Sequence, residues 1–110
     1  EFGAGVGLPC LACHACGASK VVLTDGEERL VDAARLHHGH LNGLEFQYMN
    51  WQTEANNKEV ESAPYGFFDL ILGSDIMLST NQGHICVPQL TGRWLRRSPA
   101  GRALFLSKVR

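Results

Sequence analysis

The chain opens Glu1-Phe2-Gly3-Ala4-Gly5-Val6-Gly7, three glycines at alternate positions behind an apolar residue. Glycine reaches backbone angles that other residues avoid, so such a run makes a tight turn and lets a ligand come close to the main chain. Residues 1–2 read as the last step of a strand. Leu8 to Cys16 read as a short helix rich in small residues, ended by Gly17. Free amide N–H groups collect where a strand passes through a glycine turn into a helix, and they favour a hydrogen-bond-accepting ligand. The same stretch has a rival reading: Cys10, Cys13 and Cys16 stand at two successive C-x-x-C spacings, with His14 among them.

The spacing of the thiols argues against a metal. An iron–sulfur run of this kind calls for a fourth cysteine at position 20 and a proline after it, and position 20 is Lys20. A zinc site needs a second ligand pair at ordinary distance. Only His14, Cys86 and the cluster His37, His38 and His40 are left to supply one. On a helix the three thiols spread over more than roughly 100° of arc, which suits small packing residues where the helix lies on a sheet. The three clustered histidines read as surface residues near a helix C-terminus, where a positive charge is favourable. No metal is expected.

Further along, Val21 to Thr24 form a short buried strand closed by Asp25 and Gly26. Glu27 to about Leu41 read as a helix with Leu30, Ala33, Ala34 and Leu41 as its apolar stripe, although Gly39 weakens the last turn. Glu45 to Trp51 alternate as a strand, and Thr53 to Pro64 read as a polar loop. Phe67 to Gly73 suit a buried parallel strand. Gly83 to Arg97 read as a helix interrupted by Pro88 and Gly92, and Ala103 to Val109 as a last strand. Asp69 is expected to start its strand and accept from loop amides. The basic stretch of Arg93, Arg96 and Arg97, with Arg102, Lys108 and Arg110, reads as a solvated face.

Strands alternating with helices imply an α/β protein with a parallel sheet and flanking helices. In such sheets ligands bind beyond the carboxyl ends of the strands. Gly3 to Gly7, Asp25, Asn50-Trp51 and Ser74-Asp75 all fall at such ends, which points to one cofactor cleft. Asp25 lies about 20 residues beyond the first glycine, the usual place of an acid that accepts from ribose hydroxyls. The dinucleotide fingerprint is G-x-G-x-x-G, whereas these glycines are spaced G-x-G-x-G behind Glu1. That spacing favours S-adenosyl-L-methionine, whose amino group suits a nearby carboxylate, over a nicotinamide cofactor.

On these residues the chain resembles the seven-β-strand, Rossmann-like methyltransferases. "EFGAGVGLP" is similar to their E-L-G-A-G-x-G-L-P/V motif, and "VVLTD", "LNGL", "NW", "FDLILGSDI" and "GRALFLSKVR" follow in that family's order. Within the family the likeness is to the protein-lysine methyltransferases, which act on calmodulin, elongation factors and molecular chaperones. The resemblance implies S-adenosyl-L-methionine as cofactor, a protein lysine as acceptor and strand order 3-2-1-4-5. It implies Glu1 beside the methionine moiety and Gly3, Gly5 and Gly7 along the cofactor loop. Asp25 would then lie on the ribose, Asn50 and Trp51 on the adenine, and Ser74 and Asp75 beside cofactor and acceptor. Asp75 is a candidate near the substrate, and no catalytic base is named. Where the family motif has tyrosine this chain has Leu78, which offers no phenol hydroxyl.

Residues 1–110 read as part of one such domain, without most of its first strand and without its C-terminal strands. Two alternatives stay open: a truncated or degenerate relative that no longer catalyses, and a small-molecule N-methyltransferase on the same fold. A net charge of -1 excludes a general affinity for nucleic acid, and no apolar stretch reaches the ~20 residues of a bilayer span. With no leader visible and the thiols read as reduced, the expected location is the cytoplasm, with the nucleus also open. The acceptor and the oligomeric state stay open.

Overall fold

The computed structural model describes residues 1–57, 68–77 and 82–107. Its elements run α1 (Leu8–Ala15), β1 (Val21–Asp25), α2 (Glu28–His38), β2 (Leu44–Tyr48), α3 (Trp51–Asn56), β3 (Leu70–Ser74), α4 (Gly83–Trp94) and β4 (Arg102–Leu106). They fall into two compact units, Glu1–Met49 and Asn50–Arg110. The chain is α/β, with two small parallel sheets and helices beside them.

The first unit is built on β1, whose five residues are all buried. A strand's backbone groups serve its two neighbours in alternation, and β1 uses both edges. On one side it pairs parallel with β2, from Val21↔Leu44 to Asp25↔Tyr48. Val21 N–H donates to Gly43 O at 2.7 Å and Met49 N–H donates to Asp25 O at 2.8 Å. On the other side lies the segment Glu1–Ala4. The Glu1 amino group donates to Val22 O at 2.7 Å. Thr24 N–H donates to Glu1 O at 3.0 Å, and Ala4 N–H to Thr24 O at 2.9 Å. Residues 1–2 thus continue the sheet in the same direction, as a strand end should.

Ala4, Cys10, Val21, Leu23 and Ala34 form one buried cluster, with Cys13, Leu44 and Phe46 packed on it. The positions alternate along β1 and β2, so α1 and α2 share one face of the sheet. Cys10 and Cys13 are therefore the expected packing residues. Cys16 is not: it caps α1 and is exposed. The helix ends in a paired backbone turn. Gly17 N–H donates to His14 O at 3.0 Å and Ala18 N–H to Cys13 O at 3.1 Å, with Gly17 at φ 94°.

The second helix is shorter than the sequence pattern predicts. α2 stops at His38 with Gly39 as its cap, so glycine ends the helix instead of fraying it. Its buried residues are Val31 and Ala34, whereas Ala33 is exposed. The stripe is rotated by one position from the expected one, and Val31 takes the central place. His37 and His40 are exposed and His38 is half-buried.

In the second unit β3 and β4 pair parallel, from Leu70↔Arg102 to Ser74↔Leu106. Phe68 makes an isolated parallel bridge to Leu95 before β3 begins, and Phe67 lies outside the described residues. Ile71 and Gly73 are buried, but Leu70, Leu104 and Leu106 are exposed, so β3 is covered on one face only and is not the fully buried strand expected. α4 runs through Pro88 to Trp94 and not to Arg97. Proline in a helix interior costs about 3 kcal/mol. Burial of Val87 and Leu90, each worth about 1.5–3 kcal/mol, together with Cys86 and Trp94, outweighs it.

Two charged residues have other partners than expected. The Asp69 carboxylate accepts from the Arg96 guanidinium at 2.9 Å, and among the described residues no loop amide donates to it. Arg93 donates to Glu54 O at 3.1 Å and Ala55 O at 2.9 Å, closing the C-terminal end of α3. The basic stretch is thus partly spent on internal bonds.

Leu23 is fully buried and Leu36 is 83% exposed. Leu23→Ala should lower stability by about 2–5 kcal/mol in urea unfolding, and Leu36→Ala by no more than about 0.5 kcal/mol. Equal losses would contradict this packing.

Candidate functional site

The glycine loop closes on itself. Gly7 N–H donates to Ala4 O at 2.8 Å, and Leu11 N–H to Gly7 O at 2.9 Å, so the loop feeds directly into α1. Gly5 and Gly7 hold φ 54° and 77°, in the left-handed region that residues with a Cβ rarely occupy. The two differ in surroundings. A Cβ on Gly5 would meet nothing within 4 Å, whereas one on Gly7 would lie 2.3 Å from Leu23 Cδ1. Gly7 is thus required by backbone and packing together, and the loop is open to an approaching group at Gly5.

Asp25, the last residue of β1, is 8% exposed, and its carboxylate is bonded at both oxygens. Oδ2 accepts from Gly5 N–H at 2.8 Å. Oδ1 accepts from Glu27 N–H at 2.9 Å, just ahead of α2. A carboxylate offers about four lone-pair directions, so these bonds leave acceptor capacity on Asp25. The structure therefore joins two residues singled out from sequence, Gly5 and Asp25, by a direct bond. Sequence reasoning missed Glu27, which takes part through its amide; the available signal was Asp25 itself, since an aspartate side chain favours the N–H two residues on.

Glu1 lies beside the first turn of α1, where Oε2 accepts from Cys10 N–H at 3.1 Å. A carboxylate is stabilised there by the unpaired amides of the helix start. Burial pushes the Cys10 thiol up to about 12 from an ordinary value of 9.0, so it is a packing group and not a nucleophile. Among the described residues no group of three or more His, Cys, Asp or Glu side chains is placed to hold a metal ion.

Asn50 and Trp51 correct the sequence reading. β2 ends at Tyr48, and the pair starts a helix where a strand end and then a polar loop were expected. The Asn50 side-chain oxygen accepts from Gln52 N–H at 3.0 Å and Thr53 N–H at 3.2 Å, which makes it the N-cap of α3. Its side-chain NH₂ remains available as a donor. The indole N–H of Trp51 is buried with no partner among the described residues.

Ser74 is the last residue of β3, and Asp75 follows it at φ 53°, a conformation that aspartate tolerates better than most residues. Asp75 N–H donates to Leu106 O at 2.8 Å and so fixes this turn to β4. Leu78 lies outside the described residues. Gly3, with φ 58°, completes the loop.

No protein-family model matches the chain, and no solved structure matches it. Over 25 residues, 23% of its length, it is 72% identical to protein N-terminal and lysine N-methyltransferase EFM7 of Yarrowia lipolytica (strain CLIB 122 / E 150). The match covers 9% of that relative, so the chain spans a small part of it. This short similarity supports a methyltransferase.

Two outcomes check the geometry of this site. Gly7→Ala should destabilise the chain more than Gly5→Ala. Both put a Cβ on a left-handed residue, at about 1–2 kcal/mol, and only the first also collides with Leu23; equal unfolding midpoints would contradict the packing. The Cys10 thiol ionises near 9.0 when unfolded and near 12 when folded, so between those values the unfolded state loses the proton first. Stability should fall as pH rises through that window, and less so in Cys10→Ala. A pH-independent difference between the two chains would contradict the burial.

Proposed function

We propose that this chain is the cofactor-binding portion of an S-adenosyl-L-methionine-dependent methyltransferase with a Rossmann-like sheet, acting on lysine side chains of protein substrates in the cytoplasm. The observation that carries the reading is the bond from Gly5 N–H to Asp25 Oδ2 at 2.8 Å. It ties a left-handed glycine turn to an acid at the carboxyl end of the neighbouring strand, the place where α/β proteins hold adenosyl ligands. The order of the first unit agrees: β2, β1 and Glu1–Ala4 lie side by side and parallel, as in the 3-2-1 half of such a sheet. Within the second unit β3 and β4 are likewise parallel neighbours. The short likeness to a lysine methyltransferase supports the choice of chemistry and hints at a protein acceptor.

The donor set fits the cofactor. S-adenosyl-L-methionine carries a positive sulfonium and an ammonium, and the first unit offers carboxylates at Glu1 and Asp25. When bound, it supplies an electrophilic methyl group. Asp25, with acceptor capacity left over, would take the ribose hydroxyls. Glu1 would hold the amino group, and the glycine loop lets the ligand close on the main chain at Gly3, Gly5 and Gly7. Asn50, through its free NH₂, and Trp51, through its ring and unspent N–H, would meet the adenine. Ser74 and Asp75 would sit toward the acceptor. Methyl transfer to an amine needs a neutral lysine held in line, so positioning matters more than a strong base.

Calorimetric titration of the folded chain with S-adenosyl-L-methionine tests this reading. Binding should weaken about tenfold or more in Asp25→Ala, equivalent to about 1.4 kcal/mol, and NAD should give no heat. A folded chain that binds NAD, or neither ligand, would contradict it.

A further inference from the structure

The bonding of Asp25 goes beyond what a ribose acceptor requires. Both of its oxygens are engaged within the protein, Oδ2 by Gly5 N–H at 2.8 Å and Oδ1 by Glu27 N–H at 2.9 Å. The Glu27 bond is a local turn made two residues on, whereas the Gly5 bond ties Asp25 to a loop 20 residues away. Gly5 is at φ 54°, where a glycine has no steric preference to hold it and a Cβ would meet no neighbour within 4 Å. No packed side chain holds this amide in place: its peptide plane is held by two hydrogen bonds, Gly7 N–H on Ala4 O at 2.8 Å and Gly5 N–H on Asp25 Oδ2, of which only the second is made to a carboxylate. Hydrogen bonds to a buried carboxylate are charge-assisted and stronger than neutral ones.

We propose that Asp25 is a positioning residue, a latch that sets the glycine loop in its ligand-ready shape before any adenosyl ligand is present. Its effect on the ligand rests on the cofactor reading above, but the latch itself does not. An amide already oriented spares the ligand the entropy of ordering the loop. Substitution of Asp25 therefore weakens binding even of a ligand that has no ribose hydroxyls to offer it.

Two measurements on the full chain test this, and they fail separately. The first is amide hydrogen exchange without added ligand, comparing wild type, Asp25→Ala and Asp25→Asn, with the Val21 amide as a fold reference. Asp25→Ala should speed exchange at both Gly5 and Glu27 about tenfold, the effect of one hydrogen bond. Asparagine keeps one acceptor oxygen and turns a donor toward the other amide, so Asp25→Asn should speed one of the two and spare the other. If Val21 also loses protection in the alanine chain, the asparagine chain decides. Unchanged exchange at Gly5 and Glu27 in a folded variant overturns the latch. The second measurement is binding of S-adenosylhomocysteine and of its 2′,3′-dideoxy form. Asp25→Ala should weaken both. If only the hydroxylated ligand is affected, Asp25 acts on the ribose alone and the proposal fails. If wild type binds neither while Gly5 exchange still depends on Asp25, the latch stands and the cofactor reading falls.

Discussion

The carboxylate of Asp25 joins three parts of the first unit: the end of β1, the glycine loop through Gly5 and the entry to α2 through Glu27. A buried carboxylate is costly unless it is hydrogen-bonded, so these bonds are a condition of the fold as much as a feature of the site. β1 places the acid there because both of its edges are filled, by β2 on one side and Glu1–Ala4 on the other. The cluster of Cys10, Leu23 and Ala34 then holds α1 and α2 against the same face of the sheet. Loop, acid and both helix starts follow from where this one strand lies.

The glycine loop itself is nearly all backbone. Its chemistry comes from main-chain amides in unusual conformations and from two acids at its rim, Glu1 and Asp25. Glu1 meets the amide of Cys10, and the thiol of that same residue is locked in the core. The cysteines that compete for attention in the sequence therefore serve the loop indirectly, Cys10 and Cys13 as its floor. Cys16 stands apart as an exposed cap.

Much of this was legible in the sequence, for physical reasons that can be named. Glycines at alternate positions and an acid about 20 residues on leave a signature because each needs a particular residue type. The β-branched run at Val21–Val22 marked β1 for the same reason. What stayed hidden depends on bonds that residue types do not advertise. Asn50 reads equally as a strand residue or an N-cap, and only its bonds to the Gln52 and Thr53 amides show that α3 begins there. Gly39 reads as a flaw in a helix but is its end. Pro88 reads as a break, yet buried Val87 and Leu90 carry α4 through it. Arg93 and Arg96 read as surface charge but close α3 and pair with Asp69. The bond from Glu27 N–H to Asp25 is a local turn that an aspartate before glycine favours, whereas the bond from Gly5, 20 residues away, has no such local signature.

The central claim is that the glycine loop and Asp25 form one adenosyl-ligand site. It is tested most directly by titrating S-adenosyl-L-methionine into the isotope-labelled chain and following each backbone amide. The account predicts saturable shifts that begin at Gly3, Gly5, Gly7 and Glu27 and share one dissociation constant. Shifts confined to other parts of the chain, or a folded chain whose loop amides do not respond, would contradict it.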